Sequence, residues 1–94
     1  MPHFLIEYGQ KGSDEDRERH RADHIAYRKG EGDRLVMAGA LLDEAGAGAG
    51  SVVLYEADTL AEATRFAEGD PMMIHNIFTL SSVRPFRVAA IKAP

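Results

Sequence analysis

Arg21, His24, Tyr27 and Arg28 stand close together in the stretch "RADHIAYRKG", residues 21–30. Histidine is the side chain whose ordinary titration falls near neutral pH, so it can take a proton from one atom and return it to another. Arginines beside it offer positive charge to an oxygen that becomes anionic as bonds break. On a helical wheel at about 100° per residue, Arg17, His20, Arg21, His24, Tyr27 and Arg28 fall within an arc of roughly 120°. Ala22, Ile25 and Ala26 fall on the other side, so the wheel predicts that these apolar residues face the sheet and that His24 does not pack in the core. The polar stripe is then either a solvated helix face or the wall of a pocket for an anionic or phenolic small molecule.

A second chemical feature is the pair Asp70-Pro71. Aspartate before proline is what a helix start needs: the carboxylate caps and the proline takes the first helical position. Such a cap can also serve as a catalytic carboxylate. His75 follows the same turn, where it either lines the same cleft or is solvated. His20 and His24 have the i,i+4 spacing of two metal ligands on a helix, but no HExxH is present and Arg21 between them repels a cation, so no metal is expected. The serines lack a nucleophile-elbow context, which argues against a serine hydrolase. The run "EAGAGAG" fits neither GxGxxG nor GxxxxGK[ST] and reads as a plain loop. No cofactor is implied.

Bulk properties narrow the classes further. Ninety-four residues suffice for one domain, taken as residues 1–94. A net charge of -4 argues against nucleic acid as the main partner. Without cysteine there is no disulfide, no thiolate metal site and no cysteine nucleophile. No apolar run approaches the roughly 20 residues that span a bilayer, so no membrane partner is expected. "MPHFLIEYG" has no basic segment ahead of a hydrophobic one and is not an export signal, which makes the cytoplasm the expected compartment.

The elements that must position these groups follow from punctuation and periodicity. "HFLIEY" is rich in β-formers and reads as a strand. "SDEDRERHRADHIAYRKG" reads as one helix, capped by Ser13 with acids in its first turn and stopped by Gly30 and Gly32. "RLVMAGALLD" and "GSVVLYEA" read as antiparallel strands around the glycine-alanine loop. Thr59 and Glu62 form a capping box for a second helix that ends at Gly69, and "DPMMIHNIF" adds a short helical turn. "SSVRPFRVAAI" reads as a closing strand, with Pro85 marking an edge or an entry kink. The order β-α-β-β-α-β is the ferredoxin-like plan: an α+β fold whose antiparallel sheet carries both helices on one face. In "LVMAGALL" and "SVVLY" apolar residues occupy both faces, and the chain has no third layer. A second copy packed sheet to sheet would cover the other face, so a homodimer is expected.

The segments "RADHIAY", "GDRLVMAGALLD", "GSVVLYEADTLAEATRFAEGDPM" and "SVRPF", in this order and over essentially the whole chain, resemble the YciI-like (YCII-related) family. The resemblance implies a ferredoxin-like fold and dimers of the α+β barrel kind. It also implies an acid-base dyad formed by a helix histidine and the aspartate of an Asp-Pro pair, positions that match His24 and Asp70. Arg21 matches a frequent arginine of the family. Two positions depart from its pattern: Gly39-Ala40 stands where Gly-Pro is usual, and Met72 stands where an aromatic residue is usual.

A carboxylate beside an imidazole fixes its tautomer and favours the protonated ring. The expected function is therefore proton transfer or elimination on a small cyclic or aromatic oxygenated compound, as in a lyase, an isomerase or a dehydrochlorinase. His24 and Asp70 are the catalytic candidates, and Arg21, Tyr27, Arg17, His20 and His75 are the substrate-binding candidates. Two alternatives stay open: a non-catalytic module binding a small anion in the same cleft, and an oxygen-using enzyme.

Overall fold

The computed structural model of the chain describes residues 1–92. Positions 93–94, the last two of the span expected to form one domain, lie outside them. Strand β1, His3–Gln10, buries Phe4, Ile6 and Tyr8 and leaves His3, Leu5 and Glu7 half-buried. This is the two-residue period of a strand covered on one side.

Ser13 caps α1, Asp14–Arg19, by accepting the Asp16 N–H at 3.1 Å. The single helix expected from Ser13 to Lys29 is broken. His20 leaves helical geometry (φ -108°, ψ 9°), its N–H donates to the Arg17 carbonyl at 3.2 Å, and α2, Arg21–Lys29, starts afresh. A short helical turn at Gly32–Arg34 leads into β2, Leu35–Leu42, and a loop then leads to β3, Gly48–Glu56. In that loop the Asp43 carboxylate accepts the N–H groups of Ala45 and Ala47, both at 2.9 Å. Thr59 caps α3, Leu60–Glu68, and Asp70 caps α4, Pro71–Ile74. Strand β4, Phe78–Phe86, begins earlier and stops sooner than its sequence suggested.

The sheet order is β2-β3-β1-β4 with every neighbouring pair antiparallel, the ferredoxin-like arrangement. Strand β4 is an edge, which is where Pro85 belongs. Strands β1 and β3 cross closely at Gly50 (φ 154°), where a Cβ would fall 2.0 Å from the Tyr8 carbonyl oxygen. Only glycine fits there.

On the helix side of the sheet, Phe4, Ile6, Tyr8, Val53 and Tyr55 pack with Ala63, Phe66 and Ala67 of α3 and with Met72 of α4. Tyr8 also donates its phenol to the Ala67 carbonyl at 2.9 Å, which ties the central strand to α3. The opposite face is apolar as well. Leu5 stands opposite Leu54 and Glu7 opposite Val52, while Met37, which is paired with Leu54, is 52% exposed. Helices α2, α3 and α4 pack on the other side.

Helix α2 meets the sheet with the side opposite to that expected. Ala22, Ile25 and Ala26 are exposed, and the buried residues are His24 and Arg28, each 8% exposed. Two alanines bury little area, so turning them inward stabilises little. The polar side instead finds a buried acceptor, and hydrogen bonds of that kind compensate its desolvation.

Candidate active site

The acceptor is Asp70, which has no exposed surface. As the cap of α4 it takes the Met72 N–H on Oδ1 at 2.9 Å. The His24 ring lies against the same carboxylate, with Nδ1 at 2.8 Å from Oδ1 and 3.0 Å from Oδ2. From the other side the Arg28 Nε donates to Oδ2 at 3.1 Å. The remaining Arg28 nitrogens, Nη1 and Nη2, each donate to Ser51 Oγ at 3.3 Å, and Ser51 donates to the Gly39 carbonyl at 3.0 Å. A continuous chain therefore runs from His24 through Asp70, Arg28 and Ser51 to the backbone of β2. Among the described residues no buried side-chain nitrogen or oxygen lacks a partner.

Burial by itself would raise the Asp70 pKa. The hydrogen bonds from His24 and the Met72 N–H, with the charges of His24 and Arg28, outweigh it and hold the carboxyl below its ordinary range. Asp70 is thus an acceptor only, so Nδ1 carries the shared hydrogen and, in the neutral ring, Nε2 keeps its lone pair. No described side chain or backbone group bonds to Nε2. The His24 ring also meets Phe78 edge-on, with centroids 6.0 Å apart.

His24 opens onto a cleft of about 440 Å³. Arg17, Arg21 and Arg28 line it from the helices, and Ala38, Gly39 and Ala40 line it from β2. Of the eleven lysines and arginines in a chain of net charge -4, three thus line one cavity, against the carboxylates of Asp14 and Glu18. Asp70 pairs with Arg28 and Glu18 lies near Arg21, so the cleft sets arginines among carboxylates rather than presenting one sign of charge, and its interactions are local and directional.

The structure brings together four of the residues chosen from sequence: His24, Asp70, Arg17 and Arg21. Tyr27 lies elsewhere, donating its phenol to the Phe66 carbonyl at 2.9 Å and stacking on the Phe66 ring. It borders a separate groove of about 320 Å³. His20 and His75 stack on each other, centroids 3.9 Å apart and planes 12° apart, outside the cleft lining. Ser51 is absent from the sequence reading of the site, and Arg28, although on the polar stripe, is absent from its substrate-binding candidates. Arg28 stands four residues after His24 on the same helix face, a usable signal that its position in the last turn, where basic residues answer the helix dipole, concealed. Ser51 carries no such signal, because only strand register places it opposite Tyr8.

A ferredoxin-like α+β domain with an arginine-lined cleft and a buried histidine–carboxylate pair is the class these observations define. The YCII-related domain matches residues 1–87, and the chain belongs to that family. Among solved structures the chain resembles 5-chloro-2-hydroxyhydroquinone dehydrochlorinase from Burkholderia phenoliruptrix AC1100 in complex with 2,5-dihydroxybenzoquinone. The two share 22% identity and a TM-score of 0.71 over 94% of this chain and 93% of that one. No functionally curated protein matches the chain. No helix among the described residues is long and apolar enough to cross a membrane.

Proposed function

We propose that the protein is a cofactor-independent small-molecule enzyme in which His24 moves protons and Asp70 orients it. The observation that carries this reading is the His24–Asp70 contact of 2.8 Å, with the other face of the imidazole turned toward a cleft large enough for a small ring compound. Asp70 holds the Nδ1 hydrogen, so Nε2 is the base. It takes a proton from a hydroxyl or from a carbon next to a carbonyl, and the electron pair left behind moves into the ring as an enolate or phenolate. The positive charges of Arg17 and Arg21 favour that anion. In an elimination the imidazolium first returns the proton to the ring carbon that bears chlorine, making it tetrahedral. A second deprotonation, of a ring hydroxyl, then drives an electron pair through the ring, chloride leaves, and the proton held by the histidine passes to solvent. In an isomerisation the imidazolium returns the proton at a second atom. Both routes balance without an oxidant or a metal.

The dehydrochlorinase named above, at 22% identity, supports a hydroxylated ring as the substrate class. Chloride release from 5-chloro-2-hydroxyhydroquinone, and exchange of ring hydrogens of 2,5-dihydroxybenzoquinone with deuterium, are the measurements. His24→Gln should slow whichever reaction occurs by about 10² or more in a folded protein. A folded His24→Gln variant with undiminished rate would remove the proposal. Ligands always recovered unaltered would leave a binding module instead.

We also propose that a second copy covers the open sheet face through Leu5, Met37 and Val52, which closes two sheets into a barrel-like pair. A monomer mass in sedimentation at micromolar concentration would overturn that assembly.

A further inference from the structure

We infer that the cleft takes a small ring compound bearing a carboxylate, seated on the Nε–Nη2 edge of Arg17 while the reacting atom meets Nε2 of His24. The second half rests on the acid-base reading above, and the first half stands without it. Arg17 is half-buried and fixed in place. Its Nη1 donates to Gln10 Oε1 at 2.7 Å and, more weakly, to the Gly50 carbonyl at 3.4 Å. Gln10 is itself held, its amide nitrogen donating to the Asp14 carboxylate at 2.8 Å and to the Gly12 carbonyl at 3.2 Å. The guanidinium lies 5.1 Å over the Phe78 ring, the same ring that His24 meets from its edge.

These contacts hold the group without a carboxylate in direct contact, Asp14 reaching it only through Gln10. Arg28 is committed to Asp70, and on the surface Arg19 pairs with Glu15 and Asp16 while Arg21 lies 3.8 Å from Glu18. Among the described residues Arg17 forms no ion pair. Burial lowers its pKa, and Arg28 and Arg21 add to that fall, while Asp14 offsets only part of it. An arriving anion relieves this cost. The planar guanidinium binds a carboxylate best through two parallel N–H bonds. With Nη1 engaged, the Nε and Nη2 hydrogens are the pair left for that fork. No described residue uses them, and neither nitrogen is buried. Gly48 supplies the room, since a Cβ there would fall 2.9 Å from Arg17 Nη1, 2.9 Å from Gln10 Oε1 and 3.0 Å from Asp14 Oδ1.

Calorimetry with two probes that differ only by the carboxylate, 2,5-dihydroxybenzoate and hydroquinone, tests the inference. The unaltered protein should favour 2,5-dihydroxybenzoate by roughly tenfold or more. Arg17→Met should abolish the preference, and Gly48→Ala, which displaces the arginine, should reduce it, so that a folding failure in one variant leaves the other informative. His24→Gln should keep it. Equal binding of the two probes, binding of neither, or an undiminished preference in a folded Arg17→Met or Gly48→Ala variant would overturn the assignment. Because this preference is read without turnover, it can stand when proton transfer by His24 fails its own test, and the converse also holds.

Discussion

The two ends of the helix layer solve one problem, holding α2 against α3 and α4, with different physics. At one end His24 and Arg28 grip the Asp70 carboxylate, a cluster of directional bonds among charges. At the other, Tyr27, Phe66 and Tyr55 form a stack of three rings, with centroids 5.3 and 4.1 Å apart and planes within 9° and 5°. Stacked rings stabilise through buried area and dispersion and depend little on the position of any one atom. The charged end has no such tolerance, since a donor left without its acceptor in a buried site costs its full desolvation. The layer thus separates an end that supplies adhesion from an end that supplies polarity, and the cleft lies at the second.

The charged end is most vulnerable at Asp70. Asp70→Ala strands the His24 and Arg28 donors and uncaps α4. It should destabilise the fold by about 3–5 kcal/mol in denaturant titration, with a fall in turnover larger than folding accounts for. Phe66→Ala removes the middle ring of the stack. It should cost about 3 kcal/mol, yet leave ligand binding in the cleft unchanged under conditions where the variant is folded. A cleft that fails equally in both variants would show that the two ends are not separable.

The smallest effect, and the one that sharpens the distinction, is the dependence of stability on pH. Asp70 has a folded pKa held below its ordinary 3.8. Its contribution is present above that value and is lost as pH falls, first as the unfolded carboxyl takes up its proton and finally as the folded one does. The Tyr55 phenol is pushed up to about 12, chiefly by burial and then by its bond to Glu31. Its contribution is whole below the ordinary 10.0 and is lost as pH rises through the folded value. Asp70→Asn should therefore flatten the acid limb of a stability–pH curve and Tyr55→Phe the alkaline limb, each without altering the other.

Strands, caps and topology were legible because each rests on local chemistry: the alternation of Phe4, Ile6 and Tyr8, the caps at Ser13 and Thr59, the proline after Asp70. The site was legible only in part. A wheel drawn from Arg17 to Arg28 collected all three of the cleft's arginines, although the helix breaks at His20. The same wheel turned the stripe toward solvent, because it assumed that apolar residues face inward. What reversed it is a carboxylate 46 positions away in sequence, whose burial no local pattern records. The pairing of His24 with Asp70 entered through family resemblance. The added grip of Arg28 and Ser51 required coordinates.

Gly39 has a consequence of its own. It lies in the cleft wall across from the dyad, its carbonyl receives the Ser51 hydroxyl, and a Cβ at this position would meet nothing within 4 Å. Its backbone role survives any side chain, since the carbonyl belongs to the main chain. The position is therefore a vacant slot in the mould: residues of different size installed there would trim or extend the guest the cavity admits while leaving the proton-handling groups where they are. A panel of ring compounds could then be sorted among variants of a single codon.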